Sequence, residues 1–321
     1  SLHVGFSTGV AFAAAKNPGI SELIHWADLA AAEVKRSGRG SVRNYDKTLL
    51  TEQERRLAIN QALRRALGIG EFYLEYQPVI DADDGQIVSY EALLRWNSNE
   101  LGLVPPDEFI PIAEETGLIV QLGEWVLRTA CQEAASWKNP LGIGVNMSAV
   151  QLQKHELPEL VAEILAETGL DPKRLELEVT ETALIHNPAR SMKILSDIKK
   201  LGVRIAMDDF GTGYSSLATL QNFPVDRIKI DQSFIKKLIS NDQAIAIVRA
   251  VINLGHDLHL DVIAEGVETD EQVSFLTDHH CSSVQGYKYG HPKPIKDYWH
   301  VVNRTETPTK PANRGPGFET V

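Results

Sequence analysis

The sequence is poor in cysteine and contains no long apolar run. Only two of its 321 residues are cysteines, Cys131 and Cys281, and neither belongs to a CxxC pair. This excludes a disulfide framework, so we expect a reduced, cytoplasmic setting. No apolar stretch approaches the roughly 20 residues that a membrane-spanning helix needs. We therefore expect no membrane span in this chain, although a longer parent protein can still be tethered to a membrane.

Positive charge is also in short supply. Lys and Arg together number 32 against 43 Asp and Glu, which gives a formal net charge of −11. A surface this acidic does not favour non-specific binding of duplex DNA or of anionic membranes, so no DNA partner is expected. A phosphorylated substrate remains possible, but it needs metal ions or local cations to offset the repulsion.

The composition does provide material for a core, since 43% of the residues are hydrophobic and 23% are charged. These proportions argue against global disorder. The pattern of residues 1–47 predicts short strands around one helix. A segment of this size has too little apolar surface to form a core of its own. We expect the main domain to span 48–300 and the Pro-, Asn- and Thr-containing segment 301–321 to be a disordered tail.

The main segment alternates short apolar runs with amphipathic stretches. The runs predicted as strands are Phe72–Gln77, Ile87–Trp96, Ile143–Met147, Leu175–Val179, Val203–Asp208, Arg227–Asp231, Leu260–Ala264 and Val284–Tyr289. Eight strands joined mostly by helices over roughly 250 residues predict an α/β fold, a (β/α)8 TIM-type barrel. The nine residues that join the first two runs include Asp83, Asp84 and Gly85. So short a link favours a hairpin and therefore one antiparallel strand.

Polar and acidic residues stand near the carboxyl ends of successive strands. In chain order they are Glu91, Arg95, Asn146, Glu178, Glu181, Asp208, Asp209, Lys229, Asp231, Glu265, Glu268 and Gln285. In a barrel these strand ends converge on one mouth, where active sites are built. One carboxylate in such a place is more often a solvated loop residue or a helix cap. A series on five or six strands is difficult to explain in that way.

Carboxylates that converge need cations nearby, because like charges raise one another's pKa. Their oxygens, with that of Asn146, suit Mg²⁺ or Mn²⁺, and the lack of clustered His or Cys makes zinc the poorer match. Lys229 lies within an apolar strand, where an unpaired ammonium is costly. Two interpretations remain open for it: a salt-bridge partner of Asp208, or a catalytic cation that positions and polarises water.

The stretch from about Thr51 to Tyr298 resembles the EAL-domain cyclic di-GMP phosphodiesterases. The matching blocks are YQP at 76–78, EALLRW at 91–96, PDEFIPIAEETGLI at 106–119, VNMSAVQL at 145–152, LELEVTE at 175–181, MDDFGTGYSSL at 207–217, KIDQSF at 229–234, AEGVET at 264–269 and VQGY at 284–287. Residues 1–47 resemble the C-terminal end of a GGDEF diguanylate-cyclase domain. The signature loop of that family is absent, so no cyclase activity is expected of this fragment.

The resemblance implies metal-dependent hydrolysis of cyclic di-GMP to linear pGpG, with two Mg²⁺ or Mn²⁺ ions. The implied ligands are Glu91, Asn146, Glu178 and Asp208 for one ion and Asp209 for the second, with Asp208 shared by both. Glu91 is thereby also a catalytic residue. Lys229 is implied to hold the nucleophilic water, and Glu265 to support it or act as base.

The resemblance also implies contacts to substrate. Arg95 corresponds to a phosphate contact, Asp231 to a guanine contact and Gln285 to a residue that lines the site. Glu181 and Glu268 are implied to anchor the DDFGTGYSSL loop or assist the metal cluster. Family members often self-associate near this loop, so a homodimer through the barrel is expected.

Two other functions compete with this one. A receptor that binds cyclic di-GMP without cleaving it would be favoured by degenerate metal ligands, which the sequence does not have. A barrel lyase or aldolase would use Lys229 to form a Schiff base. The number of carboxylates around that position speaks against the second alternative.

Overall fold

The computed structural model describes residues 5–13, 19–36, 40–185, 187–211, 220 and 222–305. The predicted tail lies outside the described residues from 306 onward, and so does the loop segment 212–219. The strands are β1 (Thr8–Val10), β2 (Val42–Asn44), β3 (Phe72–Asp81), β4 (Ile87–Ser98), β5 (Gly102–Val104), β6 (Gly142–Met147), β7 (Leu175–Thr180), β8 (Arg204–Phe210), β9 (Arg227–Ile230), β10 (Asp261–Ala264) and β11 (Ser283–Gln285). The helices are α1 (Ile20–Arg36), α2 (Lys47–Ile69), α3 (Pro106–Thr116), α4 (Ile119–Ala135), α5 (Leu157–Thr168), α6 (Glu181–Ile185), α7 (Pro188–Lys200), α8 (Gln232–Ile235), α9 (Asp242–Asp257), α10 (Asp270–Asp278) and α11 (Trp299–Val302).

The chain divides into two compact units, Ser1–Glu71 with Asn97–Ala113 and Phe72–Trp96 with Glu114–Val321. In the first unit β1 pairs with β2 in parallel, and α1 forms the crossover between them. The Asp46 carboxylate caps α2 by accepting the Thr48 N–H at 2.7 Å, and Gly70 ends the helix in the left-handed region. The sequence-based boundary at 47/48 rests on family resemblance and stays a prediction.

The second unit contains a closed eight-stranded barrel. Its strands follow the order β3-β11-β10-β9-β8-β7-β6-β4, and pairing of β3 with β4 closes the ring. All neighbours are parallel except that β3 runs antiparallel to both β4 and β11. The predicted TIM-type barrel with one antiparallel strand is therefore confirmed.

The tight turn after β3 explains why β3 runs antiparallel to its neighbours. The Asp81 carboxylate accepts the N–H groups of Asp83 at 2.9 Å and Asp84 at 3.3 Å. Gly85 then adopts a φ of 69°, which glycine tolerates without strain. A turn this tight returns the chain directly alongside β3, so no helix can cross over before β4.

Helices between the parallel strands cover the outside of the barrel, and their ends are capped locally. Asn241 caps α9 by accepting the Ala244 N–H at 2.9 Å, and Thr269 with Gln272 forms a capping box at α10. No helix of the described residues is long and apolar enough to cross a membrane. The last helix, α11, includes 301 and 302, the first two residues of the predicted tail.

Side chains alternate along the barrel strands, and this alternation positions the polar groups. On β7 the residues Leu175, Leu177 and Val179 are fully buried in the apolar core. Glu176 and Glu178 lie between them and face the opposite side of the strand. Both carboxylates form ion pairs with β9, so the barrel interior is lined by charged groups while its outer surface packs against the helices.

Candidate active site

Lys229 lies at the centre of the barrel, with only 1% of its side chain exposed. Its ammonium contacts the carboxylate of Glu178 on β7. Glu265, which follows β10, places an oxygen 2.6 Å from Nζ. Asp208 on β8 and Glu91 on β4 have oxygens at 3.5 Å and 3.6 Å from the same atom. Four carboxylates from four different strands thus surround one cation and exceed it by three formal negative charges.

This excess of negative charge shows in the pKa values of the cluster. Burial, reinforced by the charges of Glu91 and Asp208, raises the pKa of Glu178 well above its usual range. Burial also raises the pKa of Glu265 to about 8, although Lys229 opposes the shift. Burial alone would lower the pKa of Lys229, but the surrounding carboxylates raise it, so the ammonium stays charged.

Both oxygens of Glu91 accept hydrogen bonds from amide groups. Asn146 Nδ2 donates to Oε1 at 2.6 Å, and Gln285 Nε2 donates to Oε2 at 2.7 Å. Burial opposes ionisation of Glu91, yet Lys229 and these two donors leave its pKa lowered. Glu91 is consequently an ionised carboxylate held in a fixed orientation.

Gln77 on β3 is a site residue to which the sequence reasoning gave no role. Its Oε1 accepts from Gln285 Nε2 at 3.1 Å, and its own Nε2 donates to the Gly290 carbonyl at 3.1 Å. It therefore positions the amide that holds Glu91. The sequence feature that could have identified Gln77 is its position as a polar residue inside an apolar strand, within the YQP block.

Asp208 and Asp209 form a bulge in β8. Met207 is opposite Ile228 and Phe210 is opposite Ile230, so two residues of β8 share the position across from Lys229. Asp209 has a φ of 55°, uncommon for a residue other than glycine, and donates its N–H to Asp208 Oδ1 at 2.9 Å. The bulge brings two successive carboxylates to one strand position.

A cavity of about 180 Å³ opens at this end of the barrel. It is lined by Gln77, Glu91, Leu93, Asp208, Lys229, Gln232, Glu265, Gly266, Glu268, Gln285, Gly286 and Tyr287. Six further predicted site residues do not line this cavity: Arg95, Asn146, Glu178, Glu181, Asp209 and Asp231. Of these, Asn146 and Glu178 bond directly to lining residues.

Arg95 and Asp231 are occupied by local partners. Arg95 lies on the same face of β4 as Glu91, and its Nε donates to Glu75 Oε2 at 2.7 Å. Asp231 caps α8, where its Oδ1 accepts the Ser233 N–H at 3.0 Å. The sequence reasoning did not include Glu75, because its contact with Arg95 exists only across the hairpin.

The two residues predicted to anchor the loop have different surroundings. Glu181 is the buried first residue of α6, and Glu268 is exposed at the cavity, where its N–H donates to Gln272 Oε1 at 2.7 Å. Their predicted contacts with the loop fall on 212–219, outside the described residues.

The oxygen donors of this site are of the chemical type that binds a hard divalent cation. The oxygens come from carboxylates and one amide, and the buried negative charge exceeds what Lys229 offsets. Among the described residues no three His, Cys, Asp or Glu side chains are gathered as a ready metal cage. The carboxylates are instead arranged around the Lys229 ammonium. The residues therefore fit such an ion by type and by charge.

A family model, the EAL domain, matches residues 60–292. The chain is 48% identical over 294 residues to an uncharacterized signaling protein of Caulobacter vibrioides, covering 92% of this chain and 36% of that one. It is 39% identical over 293 residues to the cyclic di-GMP phosphodiesterase NbdA of Pseudomonas aeruginosa. The match covers 90% of this chain and 37% of that protein. A solved structure of the PaMucR phosphodiesterase with c-di-GMP is 42% identical, with a TM-score of 0.72, over 75% of this chain and 99% of that one. The chain thus spans about a third of the length of these two full-length relatives.

Proposed function

This chain belongs to the EAL domain family, and from that premise we propose that it hydrolyses cyclic di-GMP to linear pGpG with the help of Mg²⁺ or Mn²⁺. The observation that carries the proposal is the group of four carboxylates around Lys229 inside a closed barrel, beside the cavity at one of its ends. NbdA and PaMucR, which are similar over most of this chain, are phosphodiesterases by name.

Two cations would be held by oxygen donors of five residues on four strands. Glu91, Asn146, Glu178 and Asp208 would hold one, and Asp209 would hold the second, with Asp208 shared. When bound, such ions neutralise phosphate charge and lower the pKa of a coordinated water. Glu91 is already oriented for this role, since both its oxygens accept from fixed amides.

Lys229 and Glu265 act on the water. The buried ammonium of Lys229 donates hydrogen bonds, and its contact with Glu265 at 2.6 Å keeps the two groups side by side. A water that contacts both groups would be positioned for attack on phosphorus, and Glu265 would accept its proton when its carboxyl is ionised.

The remaining predicted residues orient the dinucleotide. Arg95 would contact a phosphate in exchange for part of its interaction with Glu75, and guanidinium groups bind phosphate oxygens well. Asp231 would use the oxygen that does not cap α8 to accept from a guanine. Gln285 lines the cavity, and its Oε1 has no hydrogen-bond partner among the described residues.

The test is incubation of the chain with cyclic di-GMP and Mg²⁺, with product separation by chromatography. We expect pGpG to accumulate with Mg²⁺ or Mn²⁺ and its formation to stop in EDTA. Tight binding of cyclic di-GMP in Mg²⁺ without any pGpG would instead establish the receptor that does not cleave its ligand. Absence of both binding and cleavage would contradict the proposal altogether.

Three broader expectations accompany this proposal. The barrel would form a homodimer near the DDFGTGYSSL loop, residues 1–47 would be the end of a GGDEF-like domain, and the chain would act in the cytoplasm. Light scattering tests the first: a monomer at every practical concentration contradicts it.

Gly144 on β6 gives a test of how closely Glu178 must be placed. A Cβ at this position would overlap Glu178 Oε1, so Gly144→Ala must displace that carboxylate. We expect cyclic di-GMP hydrolysis to fall by about 10²-fold, since small misplacements near reacting groups have effects of this size. The overpacking should cost about 1–3 kcal/mol of unfolding free energy.

The matched control is Gly68→Ala in α2, where an added Cβ meets open space. It should leave hydrolysis unchanged. Full activity of the Gly144→Ala variant in steady-state assays would show that Glu178 need not occupy its observed position.

A further inference from the structure

A second cavity, of about 150 Å³, lies at the opposite end of the barrel from the candidate active site. Basic side chains from three strand starts line it. Lys173 and Arg174 come from the turn that precedes β7, and Arg204 and Arg227 are the first residues of β8 and β9. On β9, Arg227 precedes Lys229 by two residues and shares its face, so the two cations occupy successive levels of the barrel interior.

The charges of this cavity do not balance. Arg227 pairs with Glu176 at 2.9 Å and with Asp261 at 3.3 Å, and Arg204 contacts the same Asp261. These two arginines and two carboxylates offset one another. Lys173 and Arg174 remain, and neither forms a salt bridge within the part of the chain that the structure describes.

Arg174 is fixed in place although it has no ion pair. Its Nε donates to the Leu141 carbonyl at 2.9 Å, and its Nη2 donates to the Ala134 carbonyl at 2.7 Å. Asp171 accepts the Lys173 N–H at 3.0 Å, and its negative charge also acts on Arg174, so it offsets one of these two cations. A chain with a formal net charge of −11 therefore keeps a preorganised surplus of positive charge at one cavity.

Arg227 supplies an independent indication that the cavity is a ligand site. Its side chain is nine-tenths buried, and its Nε–H has no hydrogen-bond acceptor among the described residues. A buried donor left without an acceptor destabilises the fold, because the loss of its hydration is not compensated. An anion in the adjoining cavity would provide the acceptor.

We propose that this cavity binds a small tetrahedral oxyanion of the phosphate class. Guanidinium groups donate to phosphate oxygens in pairs, and the cavity holds three of them together with Lys173. Its volume is below the roughly 300–1,000 Å³ of sites that enclose drug-sized ligands. A phosphate group is small enough to fit there.

The test is calorimetric titration of inorganic phosphate into the full chain, with EDTA present and the ionic strength held constant with NaCl. We expect saturable binding to one site. Lys173→Glu should weaken it at least about tenfold, because it reverses a charge at the cavity without removing a structural contact. The matched control, Lys193→Glu, makes the same change at an exposed position of α7 and should leave the affinity unchanged.

Two further variants keep the result decisive. Arg227→Lys retains the charge opposite Glu176 but lacks the Nε–H, and it should bind phosphate more weakly while circular dichroism shows an unchanged fold. Arg95→Gln alters a cation at the other end of the barrel and should bind as the wild type does. Equal affinity in the Lys173→Glu variant, loss of binding in the Arg95→Gln variant, or no saturable binding at all would each overturn the proposal.

A parallel titration with 5′-GMP identifies the source of the phosphate group. Tighter binding than that of inorganic phosphate assigns the cavity to the terminal phosphate of a larger molecule, and weaker binding assigns it to the free ion. The site is supported whichever of the two ligands binds more tightly, provided that Lys173→Glu weakens the binding of both.

Discussion

Lys229→Met is expected to abolish most hydrolysis of cyclic di-GMP and to destabilise the metal-free protein strongly. The substitution keeps the length of the side chain but leaves the carboxylates of Glu91, Glu178, Asp208 and Glu265 without their shared cation. Removing one partner of a buried ion pair costs about 3–5 kcal/mol. Loss of a positioned donor next to the reacting atoms lowers kcat by about 10²–10³-fold. Urea unfolding in EDTA and a steady-state assay in Mg²⁺ measure the two effects.

Addition of Mg²⁺ should recover part of the lost stability in this variant, because a bound cation takes over the compensation of the carboxylates. Lys199→Met is the matched control, since Lys199 pairs with Asp226 and keeps 31% of its side chain exposed. An ion pair near the surface is worth about 0–1 kcal/mol, so the control should unfold almost as the wild type does. Equal unfolding free energies for the two variants would show that Lys229 does not compensate the cluster.

The barrel was predictable because its signals are local. Each strand appears as a short apolar run, each helix as a 3.6-residue period, and the hairpin as a link of nine residues. The residues that gather around Lys229 were also within reach, since parallel strands bring their carboxyl ends together. The sequence pattern placed Glu178 and Lys229 near strand ends, and the structure adds that both face the barrel interior.

What the sequence did not reveal depends on register between distant strands. Gln77 reaches Gln285 only because β3 and β11 are neighbours, although the two residues are far apart in the chain. The bulge at Asp208 and Asp209 is a mismatch between β8 and β9, which no single strand encodes. The surplus of positive charge near Arg174 likewise emerges only when the starts of three strands meet.

Glu91→Gln is expected to lower kcat for cyclic di-GMP by about 10³-fold or more. Glu91 would supply a charged oxygen to a divalent cation, and the Lewis-acid contribution of such an ion is worth several kcal/mol, with 1.36 kcal/mol for each factor of ten. The new amide also places an NH₂ against Asn146 or Gln285, both of which donate to Glu91. Stability in EDTA should also fall at neutral pH, because the lowered pKa of Glu91 means that its ionised form stabilises the folded protein.

The matched control is Glu75→Gln, which makes the same change on the neighbouring strand β3. Glu75 contacts Arg95 and none of the carboxylates around Lys229, so its replacement should act mainly on KM. A metal titration separates the two variants further: Glu91→Gln should need a higher Mg²⁺ concentration for half-maximal activity, and Glu75→Gln should not. If the Glu91→Gln variant keeps more than a tenth of the wild-type kcat at saturating Mg²⁺, Glu91 is not a ligand of the catalytic ion, and the metal site must be built from the remaining carboxylates.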